Sequence, residues 1–363
     1  MKVWPKPPLL DNRFFDPSNT WYIYDNRPLK ESLEKFAKFP ISTSFGNNEP
    51  RLLLIAVDIQ EGVPVVFDSY EKEDGTRKSG YERYGELGFD AQLEDQSSSN
   101  KWDFEHVIRY EDGIKSDFVL ASCTVPVNYD YTRLNVENPK LATGGLNHEN
   151  NTDKVGSDRS LSSSSYSNNS NLRFFWDGGL LANTSLRETI IAHRYYWSKV
   201  RKMHYDMPPL SIGIINLHPK KQEYVPCDYD GVVDRKNDII HHDRTEFDEF
   251  VAVLVSDYQM LAKSLIKLAE DNGVSKESLQ KILKQRTKTV IKPTTGPKRL
   301  LYDDLLETCL DVDITFRLER KNDTHTISNK TFDFSTATIR QLIQNGNEET
   351  KPQMKHILYD TEQ

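Results

Sequence analysis

The sequence predicts an α/β protein, with a sheet flanked by helices and a helical α+β extension behind it. Two kinds of segment predict this fold. Apolar runs of strand length occur at residues 51–58 and 173–181, and each ends beside a turn. Residues 28–39 place apolar side chains at spacings of three and four, which predicts a helix, and a second helix is expected over 185–203, before Pro208-Pro209.

The first strands can be placed in chain order. The run 51–58 is continuously apolar, as in a strand buried on both faces, and a short turn separates it from 63–67, so we expect a hairpin. Residues 70–116 are polar and charged and predict loops with little regular structure. The apolar segment 117–126 predicts a further strand, with Cys123 as a small core residue.

Composition shifts divide the chain into two domains. Residues 1–218 form the first, and within it residues 144–171 are dominated by Ser, Asn, Gly and Asp, which predicts a mobile surface loop. The segment 211–217 predicts a buried strand near the end of this domain. Residues 219–363 form the predicted C-terminal extension.

The extension has its own helix and strand signals. Residues 246–269 predict a long amphipathic helix, with Gly273 as a left-handed cap after it. Alternation over 312–319 predicts a strand with one wet face. Ser335 predicts the start of a final helix ending at Asn345-Gly346.

Composition also limits the classes of function. The 363 residues carry 47 Lys and Arg against 55 Asp and Glu, a net charge of −8, which argues against a nucleic-acid partner. The longest apolar runs fall far short of the ~20 residues of a membrane-spanning helix. Three widely separated cysteines and an N-terminus without a secretory-signal pattern predict a cytoplasmic protein.

The strongest chemical candidate is Asp177, which follows an apolar strand and precedes Gly178 and Gly179. Two glycines permit tight backbone geometry and the close approach of another chain segment. A carboxylate dehydrated by Trp176 and Phe175 would then act as a general base toward a neighbouring hydroxyl. Asp-Gly is also a common turn dipeptide, so a plain structural turn is the alternative.

Other polar groups give weaker signals, and we expect neither a metal site nor a cofactor. His241-His242-Asp243 favours a solvated loop, because adjacent residues on a strand point to opposite faces. Asp228-x-Asp230-Gly231-x-x-Asp234 lacks the Glu that closes a calcium loop. For His193 we expect packing or solvent exposure.

One helix has a basic end that admits two interpretations. Its basic residues are Arg194, Lys199, Arg201 and Lys202. They complement the helix dipole, or they make a peripheral membrane contact through phospholipid headgroups.

Four stretches occur in the order found in one enzyme family. They are Trp21-Tyr-Ile-Tyr-Asp with its following helix, residues 51–68 with their acid-x-x-x-Gly-x-Pro-Val-Val-Phe pattern, Ala121-Ser-Cys-Thr-Val-Pro126, and Asp177-Gly178-Gly179. Over about residues 20–215 the chain resembles the distal half of a patatin-like acyl hydrolase, the family of lipid esterases and phospholipases A. Thr184-Ser185 departs from the Asn-Pro that the family often has.

The resemblance implies a Ser–Asp dyad in which Asp177 is the proton acceptor and the substrate is a lipid or another acyl ester. The family's Ser lies in a Gly-x-Ser-x-Gly elbow, and neither that motif nor a glycine-rich oxyanion loop occurs in this sequence. We therefore expect a distal portion whose nucleophile comes from an upstream-encoded proximal half. Without its first strands, such a sheet would expose edges such as 52–57. The alternative is a catalytically inactive remnant acting as a structural or interaction module.

Overall fold

A computed structural model describes residues 22, 25–81, 107–135, 172–203, 207–222, 225–291, 298–307, 310–320 and 335–360, so the loop predicted at 144–171 lies outside the described residues. The chain divides into two compact units. One comprises Met1–Glu86 with Asp95–Ala182, and the other comprises Leu87–Glu94 with Asn183–Gln363. Helices flank an open antiparallel sheet, which confirms the predicted α/β fold class.

The first unit is built on one five-stranded sheet. Its elements in order are α1 (Arg27–Phe36), β1 (Leu53–Asp58), β2 (Val63–Asp68), β3 (Gly80–Tyr81), α2 (Ser116–Cys123), β4 (Thr132–Asn135), β5 (Leu172–Asp177) and α3 (Gly179–Ala182). The strand order is β3-β2-β1-β5-β4, and each neighbouring pair is antiparallel. β1 and β2 form the predicted hairpin.

β1 lies inside this sheet. β2 pairs with its whole length, and β5 pairs antiparallel with Ala56–Asp58 on the other side. The expectation of an exposed edge over 52–57 is therefore wrong for the end of the strand, because β5 returns from a distant part of the sequence to cover it. Among the described strands, β3 and β4 are the outer ones.

An aromatic cluster fills the core of this unit. The rings of Phe67 and Phe118 stack with centroids 4.9 Å apart, and Phe175 meets Phe67 edge-on at 6.3 Å. Tyr110 contacts the same two phenylalanine rings, Phe67 and Phe118. β2, α2 and β5 are thus joined through one set of buried side chains, and this burial is the main stabilising contribution here.

Residues 116–123 form a helix, so the strand predicted over 117–126 is wrong for most of that segment. An apolar run buried on all sides looks the same in sequence whether it is a strand or a buried helix. Asp117 in the first turn complements the positive end of the helix dipole, which favours the helix. Among residues 70–116 the described part carries β3 and the bridge between Lys78 and Arg109.

The second unit follows from Asn183. Its elements are α4 (Leu186–Tyr195) with a π-helical turn (Tyr196–Val200), β6 (Leu210–Asn216), α5 (Tyr229–His241), α6 (Glu246–Asp271), α7 (Lys276–Leu283), β7 (Arg286–Ile291), β8 (Lys298–Leu301), α8 (Tyr302–Glu307), β9 (Val312–Glu319) and α9 (Thr336–Asp360). β6 pairs parallel with β9, and β7 pairs antiparallel with β8. By these contacts β6 belongs with the C-terminal residues, whereas the domain boundary after residue 218 stays a prediction.

The long helix α6 and the strand β9 form as predicted, and Gly273 takes a left-handed φ of 79° after α6. The predicted end of the last helix at Asn345-Gly346 is wrong, since α9 continues to Asp360. Beyond the glycine, the Gln353 side chain exchanges hydrogen bonds with the backbone of Glu319. This long-range contact offsets the destabilisation that Gly346 causes within the helix. Within the described part of the chain, no helix has the length and apolar character needed to cross a membrane.

A buried ion pair joins β1 to β5. The Arg173 guanidinium donates from Nε to Asp58 Oδ2 at 2.9 Å and from Nη2 to Asp58 Oδ1 at 2.8 Å, and Nη2 also reaches Glu61 Oε1 at 2.8 Å. Asp58 has no exposed surface. A bidentate pair of this kind specifies the strand pairing, and removing one partner leaves an uncompensated buried charge.

We predict that Arg173→Met lowers the free energy of unfolding by about 3–5 kcal/mol, because Asp58 stays buried without its guanidinium. Urea titration followed by circular dichroism measures this. Arg133→Met is the matched control, since Arg133 pairs with Asp130 at the surface and its loss costs about 1 kcal/mol or less. Equal losses in the two variants would contradict a structural role for the buried pair.

Candidate functional site

The end of β5 places Asp177 against two neighbouring elements. Asp177 lies opposite Ala56 of β1 in the sheet register. Its backbone amide donates a 2.9 Å hydrogen bond to the carbonyl of Thr124, directly after α2. The backbone carrying the carboxylate is therefore held from the sheet and from the end of a helix at once.

Gly178 lies in contact with the backbone of β1. A Cβ atom at this position would meet the carbonyl oxygen of Ile55 at 2.2 Å and its carbonyl carbon at 2.7 Å, closer than real Cβ contacts allow. No residue with a side chain fits unless the strand moves. The close approach of another chain segment, expected from the glycine pair, is present.

The backbone after the strand orients the carboxylate. The amide of Gly179 donates to Asp177 Oδ1 at 2.7 Å, and the amides of Leu181 and Ala182 donate to the carbonyl of Gly178. A hydrogen bond to an ionised carboxylate is short and strong, so it fixes the plane of the group. Asp177 is partly exposed, as a group that accepts a proton from an incoming molecule must be.

The aromatic surroundings of Asp177 differ in part from the prediction. Successive side chains of a strand point to opposite faces, so Phe175 shares a face with Asp177 and Trp176 does not. Phe175 is fully buried in the core, whereas Trp176 packs against Tyr131 with ring centroids 5.6 Å apart. The expected dehydration of Asp177 by Trp176 is therefore wrong, and Phe175 is the aromatic residue on its side.

Cys123, which the sequence did not connect with Asp177, lies close enough to interact with its charge, and Tyr129 interacts in turn with Cys123. Burial, with a smaller contribution from the negative charge of Asp177, raises the pKa of the Cys123 thiol to about 11. Burial, followed by the charge of Cys123, raises the pKa of Tyr129. Cys123 is the last residue of α2, and its Sγ donates to the Leu120 carbonyl at 3.7 Å. At neutral pH the Cys123 thiol is protonated and acts as a hydrogen-bond donor.

The turn between α2 and β4 is strained. Val127 has a φ of 69°, a left-handed conformation that β-branched residues rarely adopt. It lies three residues after Thr124 and two before Tyr129, so the strain occurs in the segment that contacts the end of β5. Such outliers persist only where surrounding structure enforces them, and they cluster at functional sites. Nothing in the local sequence indicated it.

The remaining sequence candidates have structural roles in the second unit. The Asp228 side chain accepts the Gly231 amide at 2.9 Å and begins α5, so this segment is a helix start. His241 ends the same helix, so the predicted loop is wrong for this residue, whereas His242 and Asp243 follow the helix. The buried Asp243 pairs with Arg317, so it is not solvated as expected. The described residues contain no group of three ligands able to hold a metal ion.

The histidine and the basic residues that follow Asp177 in the sequence belong to this unit as well. A ring nitrogen of His193 lies 3.1 Å from the Pro208 carbonyl, so His193 takes part in packing, as expected. Arg194 lies in α4 and Lys199 in the π-helical turn, and Arg201 and Lys202 follow it. A membrane contact through these residues stays a prediction.

We predict that Gly178→Ala lowers the free energy of unfolding by at least about 1 kcal/mol, because the new methyl group collides with the Ile55 backbone. The midpoint of urea unfolding measures the loss. Gly46→Ala is the matched control, since a Cβ there has nothing within 4 Å. If both variants unfold at the wild-type midpoint, the close contact does not exist in solution.

We predict that Asp177→Asn speeds alkylation of the Cys123 thiol by iodoacetamide at pH 9. A neighbouring carboxylate disfavours the thiolate, so its removal lowers the pKa of Cys123, and each unit of decrease gives about ten times more thiolate. The other cysteines, Cys227 and Cys309, are replaced by Ser beforehand. Asp112→Asn, at an exposed carboxylate, leaves the rate unchanged. An alkylation rate that Asp177→Asn leaves unchanged would contradict the proximity of the carboxylate to the thiol.

No protein-family model, curated protein or solved structure matches this chain. A functional assignment therefore depends on its motifs and on the geometry around Asp177.

Proposed function

We propose that this chain is the distal portion of a patatin-like lipid acyl hydrolase and that Asp177 is its catalytic base. The observation that carries the proposal is the geometry of Asp177-Gly178-Gly179. A strand-end carboxylate is oriented by the Gly179 amide over a glycine that no other residue can replace. An ordinary Asp-Gly turn does not require a close backbone contact such as the one between Gly178 and the Ile55 carbonyl, and this contact favours a positioned base.

The proposed reaction is acyl transfer to a serine. The serine hydroxyl gives its proton to the Asp177 carboxylate while its oxygen bonds to the ester carbonyl carbon, and the proton then passes to the leaving alkoxide as the ester bond breaks. Water hydrolyses the acyl-enzyme by the same steps, with Asp177 again taking the proton. The substrate class is a lipid or another acyl ester, and these steps use no cofactor.

The nucleophile lies outside residues 1–363 in this proposal, because these residues contain no Gly-x-Ser-x-Gly elbow. The partner is the proximal half of the family fold, which carries the elbow and the oxyanion loop. We place the assembled enzyme in the cytoplasm, with peripheral contact to its lipid substrate. The lone chain then has a base without a nucleophile and is inactive.

The missing elbow also favours a second candidate function. Without any serine donor, the same fold would be a non-catalytic module whose Asp177 only stabilises the turn after β5. Such a module hydrolyses no ester, either alone or when mixed with a polypeptide that carries the proximal half of the family fold. The two candidates differ in whether activity can be restored and whether it depends on Asp177.

We predict that residues 1–363 alone do not hydrolyse p-nitrophenyl butyrate, and that mixing them with a polypeptide that carries the proximal half of the family fold restores hydrolysis. Asp177→Asn lowers the restored kcat by about 10³–10⁴-fold, since the amide cannot take the serine proton. Initial rates at 405 nm are the measurement.

The control variant is Asp112→Asn, a change at a surface carboxylate that leaves the restored rate unchanged. An inactive mixture of folded chains would support the non-catalytic module. Full activity in Asp177→Asn would remove Asp177 from the mechanism.

A further inference from the structure

The helix α6 carries a regular apolar stripe on its solvent side. Val251, Leu254, Tyr258, Leu261, Leu265 and Leu268 follow one another at alternating spacings of three and four, and Phe247 extends the series by one step. All seven side chains are exposed, between 36% and 73% of their full surface. Alternating spacings of three and four are the a and d positions of a coiled-coil heptad, and we name these seven residues the α6 seam.

The opposite face of α6 is the one that packs into the second unit, and it is partly polar. Ser256 and Gln259 are buried: Ser256 Oγ accepts the Val312 amide at 3.3 Å, and Gln259 Nε2 donates to the Leu305 carbonyl at 2.6 Å. Ala252 packs against the apolar core. These contacts fix the rotation of the helix, so the α6 seam cannot turn inward.

Burying small and polar residues while exposing a row of large apolar ones reverses the usual arrangement of a surface helix. An apolar row about 30 Å long at 1.5 Å per residue is a docking surface rather than scattered exposed residues. The row is narrow and repeats every seven residues, so its shape fits the side of another helix.

Charge argues against a membrane as the occupant. α6 contains six acidic and two basic residues. Helices that lie on membranes are rich in Lys and Arg, and anionic lipid repels an acidic helix. The occupant that fits an apolar heptad row is therefore a protein helix with a seam of its own.

We infer that the α6 seam pairs with the α6 seam of a second copy of this chain in a parallel two-stranded coiled coil. In a parallel pair each g position faces the e position five residues further along the partner. Asp257 then faces Ala262 of the second copy, and Ser264 faces Ala269, so no like charges meet. Antiparallel pairing would place the Asp257 carboxylates of the two copies together at the centre.

The side chains of the seam suit this arrangement. Leu254, Leu261 and Leu268 occupy d positions and the β-branched Val251 an a position, as in two-stranded coiled coils, while Tyr258 and Leu265 fill the other a positions. The small Ala262 and Ala269 beside them permit close approach. Seven such side chains from each copy remove on the order of 1,000 Å² from water, the lower range of a specific interface. The inference is independent of Asp177 and of the proposed activity.

Sedimentation velocity of the full chain tests the pairing. We expect a reversible dimer in the micromolar range of concentration, and a dissociation constant at least about 100-fold higher in Leu261→Glu. Leu261 is exposed in the single chain, so this variant folds, which circular dichroism verifies. Lys267→Glu is the matched control on the same helix, off the seam, and keeps the wild-type constant.

Disulfide trapping tests the parallel direction in a Cys227→Ser background. Leu268→Cys joins two copies at least about tenfold faster than Lys267→Cys, because identical d positions face each other only in a parallel pair. An antiparallel pair separates the two positions 268 by about 30 Å.

Three results would overturn the inference. One is a chain that stays monomeric at about 100 μM, whether or not it pellets with phosphatidylcholine vesicles. Another is a dimer that Leu261→Glu leaves intact. The third is a dimer in which Leu268→Cys crosslinks no faster than its control.

Discussion

The contact between Gly178 and the carbonyl of Ile55 is the constraint on which the candidate site depends. At that point the chain leaves the sheet so close to β1 that a methyl group has no room. The direction of the backbone after Asp177 is therefore set by the sheet, and the Gly179 amide meets the carboxylate as a consequence. The turn is part of the packing of the sheet, which makes the position of Asp177 insensitive to its surface environment.

The rest of the first unit holds that contact in place. The Arg173–Asp58 pair joins β5 to β1 four residues before Asp177. The rings of Phe67, Phe118 and Phe175 join β2 and β5 to α2. α2 in turn ends at Cys123, and the carbonyl of the next residue, Thr124, accepts a hydrogen bond from the Asp177 amide. Sheet, helix and strained turn thus meet at one carboxylate, whose charge contributes to the raised pKa of Cys123.

Local features of the sequence predicted part of this arrangement. The β1–β2 hairpin follows from two apolar runs around a short turn, and the Gly178 contact follows from a glycine pair after a strand. The helix α2 could not be told from a strand, because apolar residues fill its whole length. The proximity of Cys123 to Asp177 and the pairing of Arg173 with Asp58 arise only when distant segments fold together. Periodicity likewise predicted α6 as amphipathic but could not show that its apolar stripe faces away from the core.

The central proposal is that this chain supplies the base of a Ser–Asp dyad whose serine lies outside residues 1–363. Labelling of the assembled chains with a fluorophosphonate, followed by mass spectrometry of the modified peptide, tests it most directly. The account predicts one modified serine, located outside residues 1–363, and no labelling when Asp177 is replaced by Asn. A modified serine within these residues, or labelling that does not depend on Asp177, would contradict it.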